Sequence, residues 1–146
     1  MPAPVAVLQD KVARWVEDLV GRHEINEWDE IHFRWGSVHV FLKCRDYGDE
    51  DTVVSISVPL LFHVPATPEL FQHLAFHADD WYFGHLSVTK PDKDDERIKI
   101  WLTHSLLGDY LDVEELKSAL AAVAKTADGL DDELKQRFGG DRYHED

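Results

Sequence analysis

Ile31-His32-Phe33-Arg34-Trp35-Gly36-Ser37-Val38-His39-Val40-Phe41-Leu42-Lys43-Cys44 alternates two kinds of side chain on either side of a Gly-Ser turn. Strand side chains point by turns to opposite faces, so this stretch predicts a hairpin with one apolar face and one mixed face. Beyond the acidic, Gly-containing loop at Tyr47–Asp51, residues Val53–Val58 supply a third strand. Pro59 has no N–H for a ladder, so that strand is expected to end there or to lie at an edge. Farther along, Trp81–Val88 and Arg97–His104 read as two more strands. They flank Lys90–Glu96, whose charge and turn chemistry read as a hairpin loop.

Helices frame these runs. Pro4 suits a first helical position, and Val5, Leu8, Val12, Trp15 and Leu19 form one apolar stripe, so a helix is predicted over 4–20. Thr67-Pro68-Glu69 is a helix start with a cap, a first-turn proline and a carboxylate; Leu70, Phe71, Leu74 and Ala78 give its buried side. Asp112 and Glu115 form a capping box for the last helix. Its stripe runs Val113, Leu116, Leu120, Val123, Ala127, Leu130, Leu134 and Phe138, and Gly139-Gly140 stops it. Each large side chain of that stripe contributes on the order of 1.5–3 kcal/mol when buried, so the helix must lie on a sheet. The order is α-β(3)-α-β(2)-α: one α+β domain over residues 1–146, with an antiparallel sheet, helices on one face and a polar, frayed tail at 139–146.

Composition narrows function without naming it. The chain has 146 residues, 15 Lys+Arg against 29 Asp+Glu, and a net charge of −14. That excess repels phosphates, so nucleic acid is not an expected partner. No run approaches the ~18–20 apolar residues of a membrane span, and the first ten residues lack the basic region of a signal peptide. A single cysteine, Cys44, excludes an internal disulfide and suits a cytoplasmic setting.

Splitting the strands by face is more informative. One set, with Ile31, Phe33, Trp35, Val38, Val40, Leu42, Cys44, Val54, Ile56, Val58, Tyr82, Leu86, Val88, Ile98, Ile100 and Leu102, is the floor for the helices. The other mixes Arg34, Lys43, Arg97 and Lys99 and three histidines with Phe41, Trp81, Phe83 and Trp101, and it contains no carboxylate. Strands are poor in Asp and Glu generally, which accounts for part of that absence. Exposed rings beside arginines are what interface hot spots favour, so these eight residues are the candidate set for a partner peptide or a second subunit, with an ordinary solvated sheet face as the alternative.

The segments Val64-Pro65-Ala66-Thr67-Pro68-Glu69-Leu70 and Phe83-Gly84-His85-Leu86-Ser87-Val88 resemble the YbjN-like bacterial proteins. So do Leu106-Leu107-Gly108-Asp109-Tyr110-Leu111-Asp112, Glu114-Glu115-Leu116, Ala127-Asp128-Gly129-Leu130-Asp131-Asp132-Glu133-Leu134 and Phe138-Gly139-Gly140. These proteins are grouped with secretion chaperones of the CesT type as peptide-binding chaperones. The resemblance covers Val64 to Gly140 and implies the same element order, a homodimer, and a role in holding extended segments of client proteins. It brings no catalytic residue and no cofactor.

Other chemistry is weaker. His73 and His77, four apart on a helix, could share a zinc ion with the strand residue His85. The stretch His73-Leu74-Ala75-Phe76-His77 lacks the glutamate of the H-E-x-x-H motif, and nine histidines make such a pair common by chance. Asp79-Asp80 reads as a turn, and Asp131-Asp132-Glu133 as part of the outward face of the last helix. Cys44 falls among the apolar set, as an inert thiol. The expected function is therefore a non-enzymatic, homodimeric peptide-binding chaperone, with a metal or small-molecule regulatory site at His73, His77 and His85 as the alternative.

Overall fold

The computed structural model describes residues 4–90 and 97–143. The opening hairpin forms as the alternation requires: β2 (Ile31–Trp35) pairs antiparallel with β3 (Val38–Tyr47), with Phe33 opposite Val40 and Trp35 opposite Val38. Gly36, at φ 61°, supplies the positive φ that a two-residue hairpin turn needs. A two-residue strand, β1 (Glu24–Ile25), pairs with the outer side of β2.

The central strand β4 (Asp51–Pro65) does not stop at Pro59. It continues to Pro65 through two register shifts, one between Pro59 and Leu61 and one between Leu61 and Val64, with His63 at φ 59° in the second. A bulge accommodates a residue that cannot donate, so proline is tolerated in this paired strand. β4 pairs with β3 on one side and β6 (Arg97–Leu107) on the other, and β5 (His85–Thr89) closes the order β1-β2-β3-β4-β6-β5. Thr89 lies opposite Lys99, as a hairpin requires; residues 91–96 of the connection lie outside the described residues.

The three helices form where their sequence signals place them, but Phe71, expected on the buried side of the second, is 44% exposed. α1 spans Pro4–Val20 and buries Leu8, Val12 and Val16. α2 (Pro68–His77) is capped by Thr67, whose Oγ1 accepts from the Leu70 N–H at 3.2 Å. α3 (Val113–Phe138) is capped by Asp112, which accepts from the Glu115 N–H at 2.7 Å. Its stripe packs into one core with Leu8, Val12, Ile31, Leu42, Ile56 and Leu102. Asp131 is not outward: it is 5% exposed, because it falls between Ala127 and Leu134 on that stripe at spacings of four and three. Cys44 is buried in the core, and burial pushes its thiol up to about 11.

Residues 139–143 are not a frayed tail. Gly139 caps the helix through its N–H to the Lys135 carbonyl (2.9 Å), and Asp141–Arg142 form β7, antiparallel to β4 at Leu61 and Phe62. Gly140, at φ 89°, lets the chain pass where a Cβ would stand 2.8 Å from the Phe62 carbonyl. Residues 144–146 lie outside the described residues.

Candidate functional site

The face of the sheet away from the core is open, and among the described residues no helix packs on it. Alternation along β2 and β3 places His32, Arg34, His39, Phe41 and Lys43 there, while Ile31, Phe33, Val40 and Leu42 point into the core. Alternation along β6 adds Arg97, Lys99 and Trp101, because Ile98, Ile100 and Leu102 are buried.

Register then gathers the rings. Phe41 lies opposite Ser57, and Ser57 opposite Thr103, so a small residue separates the aromatic rows. The Phe41 and Trp101 rings meet edge to face at 6.4 Å across that gap. The bulge in β4 turns Phe62 onto the same face, 6.2 Å from Trp101, with the Lys99 ammonium 4.6 Å from the Phe62 ring centre. Tyr143, just past β7, stands 5.4 Å from Phe62 and 6.2 Å from Phe41. The Trp101 indole N–H donates to Thr89 Oγ1 at 3.1 Å, which fixes its ring plane. Lys43 donates to the Trp28 carbonyl.

At the β2 end of this face lies a recess of about 420 Å³ that includes His23, Glu24, His32, Arg34 and His39. His32 and His39 share a hydrogen bond of 3.0 Å; the His32 ring stacks on Phe41, and the His39 ring is tilted to it. Burial holds the His39 imidazole below the usual histidine range, helped by the charges of His32 and Arg34 and opposed by Glu24.

Trp81 and Phe83 do not join this face. The strand begins at His85, not Trp81; Ala78 to Gly84 form a turn in which the Leu86 N–H returns to the Ala78 carbonyl, and Gly84 at φ 112° breaks the alternation. Trp81 consequently packs against the core, in a recess with Leu86 and Leu130. Phe83 tilts over His104 at 5.2 Å, on the side of β6 that carries Leu102. Tyr82, assigned to the helix floor by alternation, is 99% exposed for the same reason.

The candidate metal set is not assembled either. His73 and His77 lie together, ring centres 4.5 Å apart. His77 pairs with Asp80 at 2.8 Å and Arg137 directs a guanidinium nitrogen at His73 Nδ1 at 3.1 Å. His85 lies on the open face of β5, bonded to Thr103. Among the described residues no group of three or more His, Cys, Asp or Glu is placed to hold a metal ion.

Sequence reasoning missed Phe62 and Tyr143. Phe62 follows a proline that read as a strand end, and Tyr143 sits in a segment whose polarity read as solvent-exposed. The Gly-Gly turn before Asp141 was the available signal for a chain reversal.

A family model described as T3SS (YopN, CesT) and YbjN peptide-binding chaperone 1, TY-Chap1, matches residues 6–146. The chain belongs to the TY-Chap1 family. Among solved structures, the ExsC-ExsE complex is similar at TM-score 0.63 and 15% identity, over 89% of this chain and 95% of that one. The HopA1-SchA chaperone-effector complex is similar at TM-score 0.60 and 17% identity, over 88% and 97%. YbjN from E. coli is similar at TM-score 0.63 and 13% identity, over 89% and 93%. These likenesses show a shared fold, in agreement with the α+β order read from the sequence. Among curated proteins, no sequence relative is found. No described helix is long and apolar enough to cross a membrane.

Proposed function

We propose that this chain is a homodimeric, non-enzymatic chaperone or adaptor, a single domain acting in the cytoplasm, that holds extended segments of client proteins on its open sheet face. The observation that carries this reading is the Phe41–Phe62–Trp101 ring cluster set among Arg34, Lys43, Arg97 and Lys99, on a face that no described helix covers. Rings would bury apolar client side chains, and the cations would meet client carboxylates. The family's description as peptide-binding chaperones supports it, as does the chaperone-effector complex among the structural neighbours.

Exposed rings outside this face suit subunit contact: Phe76 is 74% exposed, and Phe71, five residues before it on α2, and Tyr82, in the turn after α2, are exposed too. Pairing there leaves the sheet face of each subunit to a client.

The test uses a short, labelled synthetic peptide of alternating acidic and aromatic residues. Phe41→Ser combined with Trp101→Ser is expected to weaken its binding about tenfold or more, as loss of interface hot spots does, with the fold retained by circular dichroism. Unchanged affinity would remove this face from the reading. In sedimentation, Phe76→Asp with Tyr82→Asp is expected to give monomers. Monomers from Trp101→Asp instead would make the open face the subunit contact.

A further inference from the structure

Strand β3 stays in register with β4 only as far as Phe41 opposite Ser57, so the β4 edge beyond Ser57 is left to another strand. Over Leu61 and Phe62 that place is taken by β7, from the chain's own last segment. Three side chains there each find a partner. Asp141 pairs with His63 at 3.0 Å, and Arg142 donates to Asp132. Tyr143 stands against His39 at 5.4 Å and against Phe41 and Phe62. An extended strand, an acidic side chain and an aromatic ring two positions later thus fit this edge and the ring cluster beside it.

We propose that the β4 edge at Leu61–Phe62, with the place beside His39, Phe41 and Phe62 that the Tyr143 ring fills, is a strand-addition subsite for an extended client peptide. Its preferred sequence is acid, any residue, aromatic, and residues 141–143 occupy it in cis until a client displaces them. The proposal rests on the open face as the client site and adds the sequence preference and the competition.

Two further observations bear on it. The cis contact is a two-residue strand, one ring and two exposed ion pairs, so an incoming peptide that pairs with β4 and supplies its own acid and ring replaces all of it but the Arg142–Asp132 pair. The face offers Lys99, Lys43 and Arg34, while its strand carboxylates Glu24 and Asp141 are each paired with a histidine, which favours an acidic peptide over a basic one.

The experiment compares the full chain, Tyr143→Ser, and a chain ending at Gly140. The probe is the synthetic peptide with the sequence of residues 139–146, followed by NMR titration of the Trp101 indole signal into the millimolar range. If the subsite is nine-tenths occupied in cis, the chain ending at Gly140 binds the probe about tenfold more tightly than the full chain. Tyr143→Ser, which keeps the chain length and so controls for altered folding, should fall between them. A probe with serine in place of its tyrosine should lose binding to all three.

Equal binding of the probe to the full and shortened chains overturns the competition. So does weaker binding to the shortened chain, which would make residues 141–143 part of the site. If the shortened chain ignores the probe while the alternating acidic and aromatic peptide still binds in a Trp101-dependent way, the subsite falls and the client face stands. If neither peptide depends on Phe41 or Trp101, both readings fall.

Discussion

Leu42 and its neighbour Phe41 leave β3 on opposite sides, and the two faces they belong to obey different constraints. The Leu42 side is closed: Leu42, Ile31, Ile56 and Leu102 are all at 0% exposure beneath the helices. The Phe41 side is half-buried by its own rings and carries Arg34, Lys43, Arg97 and Lys99 with His32, His39, His85 and the strand serines. Interiors are packed like crystals, so the first face tolerates little change in volume, whereas the second can change its side chains at smaller cost to the fold. One strand therefore serves stability on one side and recognition on the other.

The comparison breaks most readily at that pair. Leu42→Ala is expected to cost about 2–5 kcal/mol in urea unfolding, and Phe41→Ala less than about 2 kcal/mol. Peptide affinity should follow the reverse order, falling with Phe41→Ala and holding in folded Leu42→Ala. Equal costs in unfolding would mean that the open face is as much a core as the covered one.

The next effect belongs to the hinge between the faces. Gly140→Ala puts a Cβ 2.7 Å from Val64 Cγ2 and 2.8 Å from the Phe62 carbonyl, at a φ of 89° that L residues avoid. A loss of about 1–2 kcal/mol is expected from the backbone alone, with faster amide exchange along Leu61 and Phe62 as β7 detaches. Unchanged exchange there would show that β7 docks without this close approach.

The smallest effect is electrostatic. His39 has its folded pKa lowered, chiefly by burial, so the unfolded chain binds its proton more readily. Its neutral form supports the fold fully above the unfolded value near 6.5, and that support fades as pH falls from there through the lowered folded value. The charged groups around it are His32, Arg34 and Glu24. His39→Asn should flatten the decline of unfolding free energy with falling pH, although His73 and His104, lowered by burial in the same way, will leave part of the slope. A slope identical to that of the parent would place the acid sensitivity outside the open face.

Much of this arrangement is legible in the chain. The stripes of α1 and α3, the Thr67 and Asp112 caps and the alternation of Ile31–Cys44 depend on neighbours within a few residues, where backbone geometry fixes which side chains share a face. Arg34, Phe41, Lys43, Lys99 and Trp101 were placed by that rule. The rule fails wherever the backbone leaves its period. Gly84 sends Trp81 and Phe83 to the helix side, and the bulges after Pro59 return Phe62 to the open one.

The sequence by itself determined the element order, the caps and the two-faced character of the regular strands, because each follows from local geometry repeated along the chain. Only the tertiary structure decided which rings meet. The gathering of Phe62, Tyr143 and Phe41 depends on a bulge, a glycine passage and a strand added from far along the chain. Such contacts are set by long-range pairing, which no short window of residues encodes.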